Sequence, residues 1–165
     1  MRKMLIVYYS WSNGNTKRIA EMLQAATQAD IETIETAKPY TGTYEDVVAQ
    51  GKREIGSGYE PAIKPLAALP SAYDVIAVGT PTWWYTMAPA VKTFLHWQDF
   101  SGKTVIPFMT NGGWPGHVIS DMKKACPGAS IACEKEIRFD SEDGDHLETP
   151  EQEIVDWIES VKKLL

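Results

Sequence analysis

The chain reads as an α/β protein, a doubly wound sandwich with one parallel sheet between two layers of helices. Three observations lead there. Arg2–Tyr9, Tyr73–Gly79 and Thr104–Met109 are near-continuous apolar runs, the pattern of strands buried on both faces. Between them lie segments of helical period, such as Ile19, Met22, Leu23 and Ala26, or Val91, Phe94 and Leu95. Strand and helix signals alternate five times without an internal repeat or a low-complexity linker, and such alternation calls for a parallel sheet of five strands. At 165 residues the chain is predicted to form one domain, 1–165.

Each element has its own signal. The first strand ends at the polar turn Ser10–Thr16, and a helix follows over Thr16–Ala29. Asp30–Glu35 reads as a short strand and Tyr44–Ile55 as a helix, ahead of a Gly- and Pro-rich stretch. After the strand Tyr73–Gly79, residues Thr80–Met87 read as loop. Pro89 suits the first turn of a helix that ends near Trp97. Pro107 predicts a local fault in the ladder of the next strand, since it lacks the N–H. His117–Cys126 reads as helix and Ser130–Phe139 as an edge strand blunted by charge. The last helix carries Ile154, Ile158, Val161 and Leu165 as its stripe. Thr149 is its predicted N-cap, with Pro150 at N1 and Gln152 closing a capping box.

Composition excludes several classes of function. No apolar run is long enough to span a membrane. The short apolar stretch at the N-terminus runs into Ser10 without a small-residue cleavage site, so a buried strand is predicted there rather than a signal peptide. Cys126 and Cys133 form no CxxC and no framework, which predicts a reducing, cytoplasmic setting and inert thiols. The net charge of −6 is local: Glu134–Glu153 holds nine acidic residues and two basic ones. With no basic stripe, neither nucleic acid nor a membrane is a predicted partner.

In an open doubly wound sheet the ligand sits outside the carboxyl ends of the strands, which directs attention to the loops there. In the first, Ser10, Ser12 and Thr16 offer hydroxyls, Asn13 and Asn15 offer amides, and Gly14 permits the turn. The loop feeds a helix N-terminus, a favourable place for an anion. Rival anion-binding loops fail on chemistry. A Walker A loop needs Gly-Lys-Ser/Thr, and here the order is Gly14-Asn15-Thr16-Lys17. No GxGxxG is present. The strand ends lack the aspartates of a phosphorelay receiver, and Cys133 to Arg138 is one residue too close for a phosphatase loop.

The stretch Ile6-Val7-Tyr8-Tyr9-Ser10-Trp11-Ser12-Asn13-Gly14-Asn15-Thr16 resembles the flavodoxin signature. The resemblance implies a flavodoxin-like sandwich of strand order 2-1-3-4-5 and a loop that grips the phosphate of FMN. Asn13 reads as a one-residue insertion relative to the family, so either Ser10 or Ser12 faces the phosphate. Thr80–Pro89 carries three consecutive aromatics, Trp83, Trp84 and Tyr85, after Pro81 and Thr82. A strand in a core alternates, so such a run in a loop fits a stacking wall for a flat ligand. One of Trp83 and Trp84 is predicted to anchor the loop and the other to touch the ligand. The segment resembles the Pro-x-Trp-Trp loop of a flavodoxin-like subfamily, which implies a border to the isoalloxazine; relatives there commonly carry glycine at the place of Tyr85. Thr110-Asn111-Gly112-Gly113-Trp114 corresponds to the third flavin loop, with glycines that let backbone amides approach a ring edge.

The resemblance runs from Lys3 to the final helix. It implies an FMN-binding electron-transfer protein carrying one or two electrons between a reductase and an acceptor. The alternative on the same fold is an NAD(P)H-dependent quinone or flavin reductase. Asp140–Glu148 is predicted to lie beside the flavin and to dock a basic redox partner. His96, His117 and His146 lack metal-ligand spacing. Of the six tryptophans, Trp11, Trp83, Trp84 and Trp114 fall in the three loops, while Trp97 and Trp157 fall on helices and are assigned to packing.

Overall fold

The computed structural model describes residues 1–142 and 144–165. Asp143, within the predicted acidic docking segment, lies outside the described residues. The elements are β1 (Met4–Tyr8), α1 (Asn15–Thr27), β2 (Asp30–Thr33), α2 (Tyr44–Ser57), β3 (Val75–Trp83), β4 (Thr86–Met87), α3 (Pro89–Trp97), β5 (Thr104–Asn111), α4 (Val118–Lys124), β6 (Ser130–Ile131), β7 (Lys135–Arg138) and α5 (Glu151–Lys162). One short 3-10 turn, Pro70–Ala72, precedes β3.

β1 lies between β2 and β3 with all five of its residues buried, as its unbroken apolar run requires. Alternate side chains serve opposite cores. Leu5 and Val7 join Val91, Phe94 and Leu95 of α3 and Val118 and Met122 of α4. Met4, Ile6 and Tyr8 join Ile19 and Leu23 of α1 and Ile154, Trp157 and Val161 of α5. The helices therefore cover both faces.

The sheet departs from the five-stranded 2-1-3-4-5 arrangement. It has seven strands among the described residues, in the order β2-β1-β3-β5-β6, with β4 on β3 and β7 on β5. Two local causes account for the difference. The predicted loop Thr80–Met87 is largely strand: β3 continues to Trp83, turns through Trp84 and Tyr85, and pairs back antiparallel as β4. Both turn residues have positive φ, 48° and 69°, the mark of a type I′ hairpin turn.

The predicted edge strand Ser130–Phe139 is also broken in two. Thr104 N–H donates to Asp74 on the β3 side, and Val105 C=O accepts from Ala132 on the other. Alternation then turns the nitrogen of Pro107 toward the edge strand, where it has no hydrogen to give. There the edge chain carries one extra residue and Cys133 takes φ 50°, before β7 resumes opposite Phe108.

Two smaller expectations also change. Thr149 does not cap α5, because its hydroxyl accepts the Arg138 N–H at 2.7 Å; Pro150 takes the cap position and Gln152 bonds Asp156 instead. The capping box belongs to α2, where Thr43 accepts from Asp46 N–H and Asp46 accepts from Thr43 N–H. Trp97 is 64% exposed, so core packing does not account for it, whereas Trp157 is buried and donates Nε1–H to Cys133 C=O at 2.6 Å. No helix among the described residues is long and apolar enough to cross a membrane.

Candidate functional site

A cleft of about 730 Å³ opens at the carboxyl ends of β1, β3 and β5. It is polar at one end and aromatic at the other.

The polar end is the turn from β1 into α1. Ser12 turns back at φ 57° and Gly14 at φ 73°, so the chain enters the helix with its amides pointing outward. The N–H groups of residues 12–16 have no acceptor among the described residues, as expected for the first turn of a helix that no side chain caps. Ser12, Asn13, Asn15 and Thr16 line the cleft here. Ser10 and Gly14 do not: the Ser10 hydroxyl lies behind the turn and accepts from Lys17 N–H at 3.3 Å. Thr16 is buried, and its hydroxyl shares a 2.7 Å hydrogen bond with that of Thr110, tying the turn to the end of β5. The Asn15 amide donates to Gly144 C=O, which brings the last loop across the turn.

The aromatic end is built on the hairpin. Trp83 is held edge-on by three rings, with Tyr9 at 5.8 Å, Trp11 at 5.9 Å and Tyr40 at 5.1 Å between centroids. Trp11 in turn stacks on Tyr44 at 5.7 Å. Trp84 swings the other way, donates Nε1–H to Val48 C=O at 2.9 Å, and carries Lys52 over its ring. Both indoles are anchored and both line the cleft. Gly51 of α2 makes room for them, since a Cβ there would stand 3.1 Å from Trp83 Cε3. Pro81, Thr82 and Tyr85 also line the cleft, and Tyr85 is 52% exposed at its mouth.

The glycine-rich loop closes the third side with Thr110, Asn111, Gly112 and Trp114, the last 61% exposed. Gly113 is turned away from the cleft, its N–H bonded to Asn111 Oδ1 at 2.8 Å and its Cα toward Arg138. The loop locks onto the hairpin: His117 N–H donates to Tyr85 C=O at 2.8 Å, and a Cβ at Gly116 would overlap that same carbonyl. His117 itself does not line the cleft and pairs with Asp121.

Several lining residues carried no motif. Tyr44, Val47, Val48 and Gly51 come from α2, and Phe139, Asp140, Ser141, Glu142 and Gly144 from the last loop. The acidic segment therefore reaches the cleft through Asp140 and Glu142. Behind Trp83, Glu54 is 8% exposed and takes hydrogen bonds from Tyr40 Oη at 2.6 Å and Gln50 Nε2 at 2.8 Å. Burial, reinforced by that carboxylate, pushes the phenols of Tyr9 and Tyr40 well above the ordinary tyrosine range. Both cysteines are free. Cys126 is buried and its thiol is pushed up to about 11, while Cys133 is only half-buried.

Fold and cleft together define a doubly wound α/β protein with an open cleft where the first helix begins and the aromatic hairpin turns. The flavodoxin family model matches residues 3–161, and the chain belongs to that family. A protein from Bacteroides eggerthii DSM 20697, named as a flavoprotein, is 30% identical with TM-score 0.76, over 96% of this chain and 97% of that one. A similarly named protein from Bacteroides uniformis ATCC 8492 is 27% identical with TM-score 0.77, over 96% and 98%. A flavoprotein from Lactobacillus acidophilus NCFM, solved in complex with FMN, shares the fold at 23% identity and TM-score 0.69, over 82% and 93%. No curated protein matches the chain.

Proposed function

We propose that the cleft binds FMN and that the chain carries electrons between redox proteins. The observation behind this reading is that one cleft joins the unmatched amides of residues 12–16 to a wall of indole and phenol rings. Neutral donors at a helix N-terminus suit a phosphate, and ordered aromatic walls suit a flat ring. The volume of about 730 Å³ falls within the usual range for cofactor pockets.

Ser12, Asn13, Asn15 and the amides of the turn would hold the phosphate. Ser10 supports the turn from behind. Trp83, Trp84, Tyr85, Trp114 and the Gly112 backbone would bound the ring. Bound FMN supplies the redox chemistry, taking up and releasing electrons at its ring system. The chain's part is to hold and shield it: rings packed against rings leave Trp83 a single place, and His117 N–H fixes the Tyr85 carbonyl. A FMN titration of the purified chain tests this. A chain that is colourless and takes up no FMN would overturn it.

Asp140 and Glu142 at the rim support a basic partner protein, steered by charge. Electron transfer to such a partner should slow steeply with added salt, and rates flat across ionic strength would remove the steering. The exposure of Tyr85 and Trp114 also favours a second reading, an NAD(P)H-dependent quinone or flavin reductase that admits a nicotinamide at the mouth. Fast direct reduction of the loaded protein by NADPH in stopped flow would select it over the carrier. The free thiols of Cys126 and Cys133 support the cytoplasm as the setting.

A further inference from the structure

A second cavity, of about 270 Å³, lies behind the hairpin where α2, α3 and α4 converge on β4. Its volume is just under the roughly 300–1,000 Å³ of drug-sized pockets, which excludes a nucleotide and admits a small acid. Met87 and Pro89, both buried, give it an apolar floor.

The carboxylates and ammoniums in its walls are equal in number but differently engaged. Glu54 already accepts from Tyr40 and Gln50, and Asp121 accepts from Thr86 Oγ1 at 2.6 Å and pairs with His117. Lys92 on α3 and Lys124 at the end of α4 have neither a carboxylate within ion-pair distance nor a hydrogen-bond acceptor among the described residues. Lys92 is half-buried, and its Nζ stands 3.8 Å from where a Cβ on Gly58 would be, at the carboxyl end of α2. A partly desolvated cation without a partner is costly, so Lys92 favours an anion beside it, with the exposed Lys124 lining the same cavity. Glu54 and Asp121 in the same walls disfavour a guest with more than one negative charge.

We infer that this cavity is a binding site for a small organic monocarboxylate, with its carboxylate between Lys92 and Lys124 and its hydrocarbon or aryl body over Met87 and Pro89. The inference does not depend on the occupant of the large cleft.

The test is a titration of the full-length chain with benzoate, followed by two-dimensional amide NMR. Saturable shifts at Met87, Lys92 and Ala125 are expected, with affinity at least tenfold weaker in Lys92→Met and in Lys124→Met. Each variant is first checked by thermal melting, and either one alone suffices if the other fails to fold. Benzamide, of the same shape but uncharged, should bind at least tenfold more weakly than benzoate. Absence of saturable shifts, shifts confined to Ser12–Thr16, equal binding of benzamide, or unchanged affinity in the folded variants would each overturn the assignment.

Discussion

At the polar end of the cleft the amides of residues 12–16 have no acceptor among the described residues, while at the aromatic end several of the polar groups that fix the hairpin are bonded within the chain itself. Trp84 Nε1–H reaches Val48 C=O, Tyr85 C=O takes His117 N–H, and Ala88 N–H is bonded to the Thr80 hydroxyl at 3.0 Å. The aromatic wall therefore stands without a ligand, held by bonds and packing internal to the protein. The turn before α1 has hydrogen-bonding capacity left over, and a ligand is what would use it. The contrast teaches that affinity and shape come from different ends of one cleft: the turn supplies donors for a charged group, and the hairpin supplies a fixed slot.

The strongest challenge to this contrast is a change outside the cleft. Trp157→Ala should lower stability by about 3–5 kcal/mol, as for other large buried aromatics, while FMN affinity of the folded fraction stays near that of the parent. Urea melts and a fluorescence titration check both parts. Next comes the polar end alone. Riboflavin, which lacks the phosphate, should bind at least about 100-fold more weakly than FMN, since several charge-assisted bonds of roughly 1.5–3 kcal/mol each are forfeited. Equal affinities would place the binding energy at the aromatic end. A smaller effect is expected within the aromatic wall. Trp84→Phe removes the bond to Val48 and should cost about 1 kcal/mol by urea melting, without loosening Trp83.

An effect seen only at high pH concerns a phenol away from the cleft. Tyr73 Oη donates to Asp30 at 2.6 Å, which raises its pKa from 10 to about 12. A group that keeps its proton longer when folded stabilises the fold below the unfolded pKa and loses that contribution as pH rises through the folded one. Stability should therefore fall between about pH 10 and 12, with a shallower fall in Tyr73→Phe, as pH-dependent urea melts would show.

Much of this architecture can be read from residue patterns, and the failures have specific causes. β1, β3 and β5 were legible because strands covered on both faces must be apolar throughout. β4 was not, because a type I′ turn normally shows itself by Asn or Gly, and here Trp84 and Tyr85 fill it. The cap at Thr149 failed because a distant amide, that of Arg138, captured its hydroxyl. Many of the cleft's residues stand in the turns and strand ends that the Ser/Asn-rich, aromatic and Gly-rich segments mark in the sequence. The contribution of α2 was not legible, because Val47, Val48 and Gly51 look like any helix face until the hairpin is folded against them.

The fault opposite Pro107 also bears on how copies of this protein meet. An exposed sheet edge invites another chain to add a strand, and flat, regular edges are the ones that do so. Here the outer strand is two short pieces, β6 and β7, offset at Cys133, and β7 carries Lys135, Glu136 and Arg138. An incoming strand would lose register after a few residues and meet charge where it resumed. The break that spoils a regular fifth strand thus makes this edge a poor template for an added strand.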